Sequence, residues 1–415
     1  MKIAVASFFM SPSIMGWQLA LLERLASDGH SVTIIHGTKD YVPIETQCAS
    51  SCERVTVRLF KRKFTKLLPR LIEEFYFSVA AAFRAVFLPK QDVFLSLTTP
   101  LFGYLIPLTH KLFRNKKAYL VSWNMDCHPE LEESLSIIRP GGAAAKAMKA
   151  IDRICMRRFS AIIALDHAMA QILRNRYSSF PVKPEIRIIP NWDIDNDDVS
   201  EDNGIVDHIW EKFDVSNRLR VVYAGNAGRA HEFDTVLETA GRMKNEDRCL
   251  CPHFLFVGHG VARKYLQNAK KDLNLDNVDF FETLPRPELD RCITAADIVL
   301  ITLKEGMAGL VSPSKLYTAL RLGKPVLYIG PNGGNVSEAI DGYSCGISLR
   351  NGDINGCISA LRKFRDDHDY RTALGNNARR AFLDRYSIDS AYEHFLALFA
   401  KLGYNNQVMV KDGNG

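Results

Sequence analysis

Short apolar strands alternate with helical patterns twice along this chain, and an acidic stretch separates the two runs. In the first run Ile3–Phe8, Ser31–His36, Asp92–Leu97, Ala118–Ser122 and Ala161–Leu165 read as strands, with a helix near Trp17–Ser27. Continuous apolar strands need cover on both faces, and strand–helix alternation supplies it in a parallel sheet. The pattern restarts with Arg220–Ala224, Phe254–Val257, Val278–Phe281, Asp297–Thr302 and Pro325–Ile329, with a helix over Phe233–Met243. Between the runs, Asn191–Asp198 and the polar residues to Gly204 read as a linker. The expected layout is a first domain over 1–190, a linker over 191–204, a second domain over 205–390 and a tail over 391–415. The tail's helical pattern, Ala391–Leu402, can pack on either domain, the first included. Two such domains face each other across a cleft at the carboxyl ends of their strands, where ligands of open α/β sheets bind.

With 415 residues and 47% hydrophobic content the chain can bury two cores. No run of uncharged apolar residues is long enough for a membrane span. The opening Met1–Met10 looks like a signal peptide. The amphipathic pattern behind it (Leu19, Leu21, Leu22, Leu25) and the missing small-residue cleavage site favour a first buried strand. Nine scattered cysteines fit a reducing compartment, and Cys249, Cys251 and His253 fall short of a zinc-ligand pattern. Net charge is +6, with the basic excess in the first 190 residues, densest at Arg54, Arg58, Lys61, Arg62, Lys63, Lys66 and Arg70. Such a patch meets nucleic acid, anionic lipid or a phosphorylated substrate. It leads into an aromatic-rich helix, Leu71–Phe83, which reads as an interfacial element or as a core helix with a solvated basic lead-in.

Four places carry candidate chemistry. The run Gly306-Met307-Ala308-Gly309-Leu310-Val311-Ser312-Pro313-Ser314-Lys315 ends at a probable helix start. Free backbone N–H groups there, with Ser312, Ser314 and Lys315, suit a diphosphate, and Gly306 and Gly309 permit close backbone approach. The segment is equally an ordinary loop–helix–turn–strand unit with a solvated lysine. The second domain opens with Gly225-Asn226-Ala227-Gly228-Arg229, a turn in which Arg229 can fork onto phosphate oxygens. The loop Thr283–Leu289, with Leu284 and Arg286, can read a base edge or simply start a helix at Pro287. In the first domain Asp126, His128 and Glu130 follow a strand on the cleft side. There they can position an acceptor hydroxyl, or cap a turn and face solvent.

Together these segments resemble the GT-B-fold glycosyltransferases of family 4, in the branch common in bacterial exopolysaccharide and O-antigen loci. The resemblance covers nearly the whole chain. It rests on Asp126-x-x-Pro129-Glu130, Ile188-Ile189-Pro190-Asn191-Trp192, Tyr223-x-Gly225-Asn226-x-Gly228, and Ser312-Pro313-Ser314-Lys315-x-Tyr317 with Gly323-Lys324-Pro325. It implies two doubly wound Rossmann-like α/β domains facing a central cleft. It also implies a retaining transferase that needs no metal or cofactor and uses a nucleotide-diphosphate sugar, a UDP-sugar ahead of a GDP-sugar. The acceptor is then a lipid-linked or other glycan, or a small molecule, and no nucleic acid partner is implied. A cytoplasmic enzyme touching the inner membrane face through Arg54–Arg70 fits this picture.

Carried over residue by residue, the resemblance gives Asp126, His128, Arg229 and Lys315 the catalytic roles. It lines the donor site with Gly16, Gly225, Asn226, Gly228, His231, Leu284, Arg286, Glu305, Met307 through Ser312, Ser314 and Thr318. The sequence also departs from the family. Where many members carry an arginine and a lysine on the diphosphate, this chain has Asn226 and His231, so Arg229 and Lys315 take over the charge. The positions of the usual glutamate pair hold Leu310 and Thr318, and Glu305 is a substitute only from a shifted loop. The first-domain loop has only Gly16. Two rivals share the architecture: a nucleotide-sugar epimerase, and a non-catalytic nucleotide-sugar-binding partner.

Overall fold

The structure is a computed structural model that describes residues 1–8, 12–38, 52–60, 67–195, 209–213, 215, 217–247 and 250–402. The first sheet holds β1 (Lys2–Ser7), β2 (Ser31–Thr38), β3 (Glu53–Arg58), β4 (Val93–Leu97), β5 (Tyr119–Trp123), β6 (Ala161–Ala164) and β7 (Glu185–Ile188). Their spatial order is β3-β2-β1-β4-β5-β6-β7, and every pairing is parallel. The second sheet holds β8 (Arg220–Ala224), β9 (His253–Val257), β10 (Val278–Phe281), β11 (Ile298–Thr302), β12 (Val326–Ile329) and β13 (Gly346–Leu349). Its order, β10-β9-β8-β11-β12-β13, is parallel throughout. Both sheets are doubly wound, with the order reversing between β1 and β4 and between β8 and β11. Such reversals splay the loops apart and open a crevice at the strands' carboxyl ends.

The central strands are the ones the apolar runs predict. In β4, β6 and β11 every residue is buried, because helices cover both faces. The opening segment is such a strand: Ile3 pairs with Val32 on one side and Val93 on the other. Three strands lack a continuous apolar signal, namely β3, β7 and β13, and all three are sheet edges with largely half-buried residues. An edge strand is solvated along one side and needs no unbroken apolar run.

The tail helix, Ile388–Lys401, packs on the first domain. Phe395 meets Trp123 edge-on at 4.9 Å, and Trp123 stacks on Trp192, whose Nε1 donates to the Trp17 carbonyl at 3.0 Å. Arg24 pairs with Asp389, and Lys401 with Glu185 at 2.7 Å. The stretch read as an open linker therefore begins inside the protein: Asn191, Trp192 and Asp193 are buried. Residues 196–204 of that stretch lie outside the described residues, as do Lys61, Arg62, Lys63 and Lys66 of the basic run. Among the described residues no helix is long and apolar enough to cross a membrane.

Candidate active site

Between the two sheets lies a cavity of about 760 Å³. From the second domain it is lined by Gly225, Asn226, Gly228, Arg229, His231, Arg286, Val311, Ser312, Ser314, Lys315 and Thr318. Trp17, Asp126, Asn191, Trp192 and Asp193 close it from the other side. Most of the expected donor-side residues are thus brought to one wall.

The turn after β8 sets the geometry. Gly225 has φ +118°, a conformation open to glycine. A Cβ on the neighbouring Gly258 would sit 2.5 Å from the Gly225 carbonyl oxygen, so two glycine loops nest under the cavity floor. Lys315 lies across this floor. Its Nζ sits 4.5 Å from the Tyr223 ring centre and donates to the Asn226 carbonyl at 3.3 Å. Among the described residues no carboxylate pairs with it. Burial lowers its pKa to about 7. A half-buried cation held by a ring face and a carbonyl, with no counter-charge, is incomplete without an anion.

The backbone contributes less than the sequence suggests. The helix Lys315–Arg321 has only seven residues and no side-chain cap. Its Leu316 and Tyr317 N–H groups already donate to Pro313 and Ser314 carbonyls at 3.3 and 3.2 Å. The Ser312 hydroxyl is bonded to the Tyr317 hydroxyl at 2.9 Å. Positive charge on this wall comes from side chains, Lys315 and the exposed Arg229 among them. His231 adds no charge. Its Nδ1–H donates to the Thr302 carbonyl at 2.5 Å, and burial, reinforced by Lys315, lowers its pKa to about 3. The ring is neutral and keeps Nε2 as an acceptor.

The segment from Glu305 to Leu310 is placed elsewhere. Glu305 is exposed and pairs with Arg350 at 3.4 Å. Met307 and Leu310 are buried, and neither lines the cavity, nor do Ala308, Gly309, Leu284 or Gly16. This loop is the contact between domains. Cys127 N–H donates to the Leu310 carbonyl at 2.9 Å, and a Cβ on Gly309 (φ +72°) would meet the Met169 nitrogen at 2.6 Å. Beside it the buried Asp166 accepts from Met169 N–H at 2.7 Å and from Asn335 N–H, across the domain boundary, at 3.1 Å. Burial raises the Asp166 carboxyl to about 6.

The first-domain trio separates. Asp126 faces the main cavity and also a smaller one of about 50 Å³ within the first domain. His128 lines only the smaller one, where Nδ1 meets Glu132 at 2.7 Å. Although burial opposes the charge, Glu132 and Asp126 raise the His128 pKa overall. Glu130 turns to Arg176 and to Lys149.

One group escapes sequence reasoning. Asp193 Oδ2 accepts from Arg286 Nη2 at 2.5 Å, from Thr318 Oγ1 at 3.0 Å and from Arg321 Nε at 3.0 Å. Arg321 and Arg286 both reach Asp290, at 2.5 and 3.1 Å. This four-charge network crosses from the end of the first domain into the second and ties up the Arg286 and Thr318 side chains. The sequence gives no hint of it, since Asp193 reads as part of a solvated linker.

Comparison with known proteins places this architecture. Residues 208–381 match the family of glycosyl transferases group 1. That match spans the second domain, and the first domain lies outside it. It is similar to the probable glycosyltransferase WbjE of Pseudomonas aeruginosa, 27% identical over 68% of this chain and 69% of that protein. It is also similar to the putative colanic acid biosynthesis glycosyl transferase WcaI of Escherichia coli strain K12, 24% identical over 78% and 82%. Among solved structures, Anabaena HepE in complex with UDP superposes with a TM-score of 0.67 at 14% identity, covering 97% of this chain and 100% of that one. The fold is GT-B, as the sequence resemblance implies.

Proposed function

We propose that the protein moves a sugar from a nucleotide-diphosphate donor, a UDP-sugar ahead of a GDP-sugar, to an acceptor hydroxyl with retention at the anomeric carbon. The acceptor is a lipid-linked or other glycan, or a small molecule. The observation that carries this reading is Lys315: a cation with no carboxylate partner among the described residues, in the wall of a cleft between two doubly wound domains. HepE, of the same fold, is described with UDP and, in a second structure, with UDP-glucose. WbjE and WcaI are named as glycosyltransferases.

In this reaction the bond from the anomeric carbon to the diphosphate oxygen breaks. The acceptor oxygen bonds to the same face of that carbon, and its proton passes to the departing phosphate. The protein's task is electrostatic: Lys315 and Arg229 stabilise the charge growing on the diphosphate. Asp126, on the opposite wall, orients the acceptor hydroxyl. No divalent metal is needed for this step. The described cysteines are all free, which suits a reducing cytoplasm, and contact with the inner membrane face accompanies a lipid-linked acceptor.

Thermal-shift measurements with UDP, GDP, TDP and CMP test the donor assignment, because a ligand of the native state raises the melting temperature. UDP is expected to give the largest shift, unchanged by chelator. Incubation of single nucleotide sugars with and without acceptor extract tests the reaction. Turnover only with extract is expected. Isomerisation without extract identifies an epimerase, and binding with no turnover a non-catalytic partner.

The Lys315 environment adds a pH prediction. With its pKa lowered to about 7 in the empty cleft, the side chain is neutral above that pH. A bound diphosphate favours the charged form, so binding takes up a proton and weakens as pH rises through and beyond 7. Calorimetry at pH 8 in buffers of different ionisation enthalpy is expected to show that uptake. Lys315→Arg, charged at every pH used, is expected to abolish it. Equal proton uptake in the variant would assign the titration to another group.

A further inference from the structure

The helix Leu67–Phe87 has two apolar faces, and only one is used by the core. Phe77, Ala81 and Ala85 are buried against the first sheet. Ile72, Phe75, Tyr76, Val79, Phe83 and Phe87 are exposed. At 100° per residue these six fall within an arc of about 120°, a single stripe. From Ile72 to Phe87 it runs about 22 Å. The neighbouring helix, Leu105–Phe113, lies alongside, with Thr109 Oγ1 donating to the Ala82 carbonyl at 3.1 Å, and adds exposed Leu112 and Phe113. Phe83, Phe87 and Phe113 each keep 65–68% of their surface in solvent. Monomeric proteins seldom leave so continuous an aromatic patch uncovered.

Charge says what covers it. Arg84, Lys90, Arg114, Lys116 and Lys117 are exposed around the ends of the two helices. Arg114 Nε donates to the Leu88 carbonyl at 2.9 Å, which sets the two ends side by side. The nearby Glu73 and Glu74 are buried, and the half-buried Asp92 is bonded to backbone. Glu73 accepts from Phe60 N–H at 3.0 Å, Glu74 from Leu101 N–H at 3.3 Å, and Asp92 from Lys2 N–H at 2.9 Å. An apolar stripe with a cationic rim complements an anionic bilayer, whose headgroups meet the cations while the rings enter the interface. A two-fold contact with a second copy would instead bring like charges together.

We infer that this two-helix face, Ile72 to Phe87 with Leu112 and Phe113, docks the protein on an anionic membrane surface. The stripe leads to the acceptor side of the cleft. Phe75 meets Phe102 edge-on at 5.5 Å, and Phe102 lines the small cavity beside Asp126 and His128. Docking places that mouth at the lipid headgroups, where a lipid-carried acceptor presents its glycan. The inference rests on the lipid-linked acceptor proposed above for its purpose, while the contact itself is measurable without any transfer reaction.

Co-sedimentation with vesicles tests it. The probes are phosphatidylglycerol–phosphatidylcholine vesicles and phosphatidylcholine vesicles alone. Wild type is expected to bind the anionic vesicles at low salt, to bind neutral ones poorly, and to release as salt screens the rim. The triple variant Phe83→Ser, Phe87→Ser, Phe113→Ser loses interfacial apolar area and is expected to partition at least about tenfold less. Arg84→Glu with Lys116→Glu and Lys117→Glu is expected to abolish the preference for anionic lipid. Both variants must keep the wild-type UDP melting shift, which verifies the fold and keeps a failed donor assignment separate from a failed docking face. No binding to anionic vesicles at low salt would overturn the inference. So would unchanged binding by the serine variant, or a wild-type dimer that the serine variant abolishes.

Discussion

Lys315→Ala is expected to lower the rate of sugar transfer by about 10- to 100-fold, which corresponds to losing one charge-assisted hydrogen bond of roughly 1.5–3 kcal/mol in the transition state. Lys315 is a cavity cation whose partners among the described residues are the Tyr223 ring and the Asn226 carbonyl. Neither needs the ammonium, so its removal orphans no buried charge, and the melting temperature is expected not to fall. The separation of effects is diagnostic: turnover drops while stability holds. Arg229→Ala is expected to behave in the same direction and less severely, because Arg229 is exposed and stays hydrated. Near-wild-type turnover in Lys315→Ala would mean that the diphosphate lies elsewhere.

Asp193→Ala is expected to do the reverse and destabilise the protein by about 3–5 kcal/mol, the usual cost of breaking a buried ion pair from one side. Arg321 is 3% exposed and Asp290 2%. Without Asp193 the two arginines are left with one carboxylate, and Thr318 loses its acceptor. Asp193 also donates its N–H to the Tyr386 carbonyl at 3.2 Å and pairs with Ser387, where the chain crosses back toward the first domain. Urea denaturation of wild type, Asp193→Ala and Asp193→Asn measures the effect. Asn, which keeps one acceptor oxygen, is expected to fall between the other two. A loss below about 1 kcal/mol in the alanine variant would show that solvent reaches the network and shares its charge.

The two predictions rest on different kinds of information. Lys315 was visible as a motif, since a lysine behind two serines at a helix start is a local pattern. What could not be read was which part of that pattern works. The helix is only seven residues long, and its Leu316 and Tyr317 amides already have carbonyl partners, so the charge on this wall lies in the side chain. Glu305 and the Met307–Leu310 loop illustrate the same gap. The family resemblance puts them in the donor wall, yet Gly309 presses its backbone against the first domain instead. Nothing in the loop's own residues encodes that neighbour.

By itself the sequence determined the architecture. Continuous apolar strands alternating with helices admit a covered parallel sheet, and two such runs give two doubly wound domains with a cleft at their carboxyl ends. Strand period and turn chemistry act over a few residues, so they are legible without a partner. The glycine turn at 225–228 and Lys315 were legible for the same reason. Only the tertiary structure decided which polar groups pair. Asp193 meets Arg286, Thr318 and Arg321 across 93, 125 and 128 residues of chain. It also decided that Glu73 and Glu74 turn inward, which leaves an apolar helix face to solvent. Electrostatic and packing energies depend on distance in space and on exclusion of water. Chain order carries neither quantity until the domains have closed on each other.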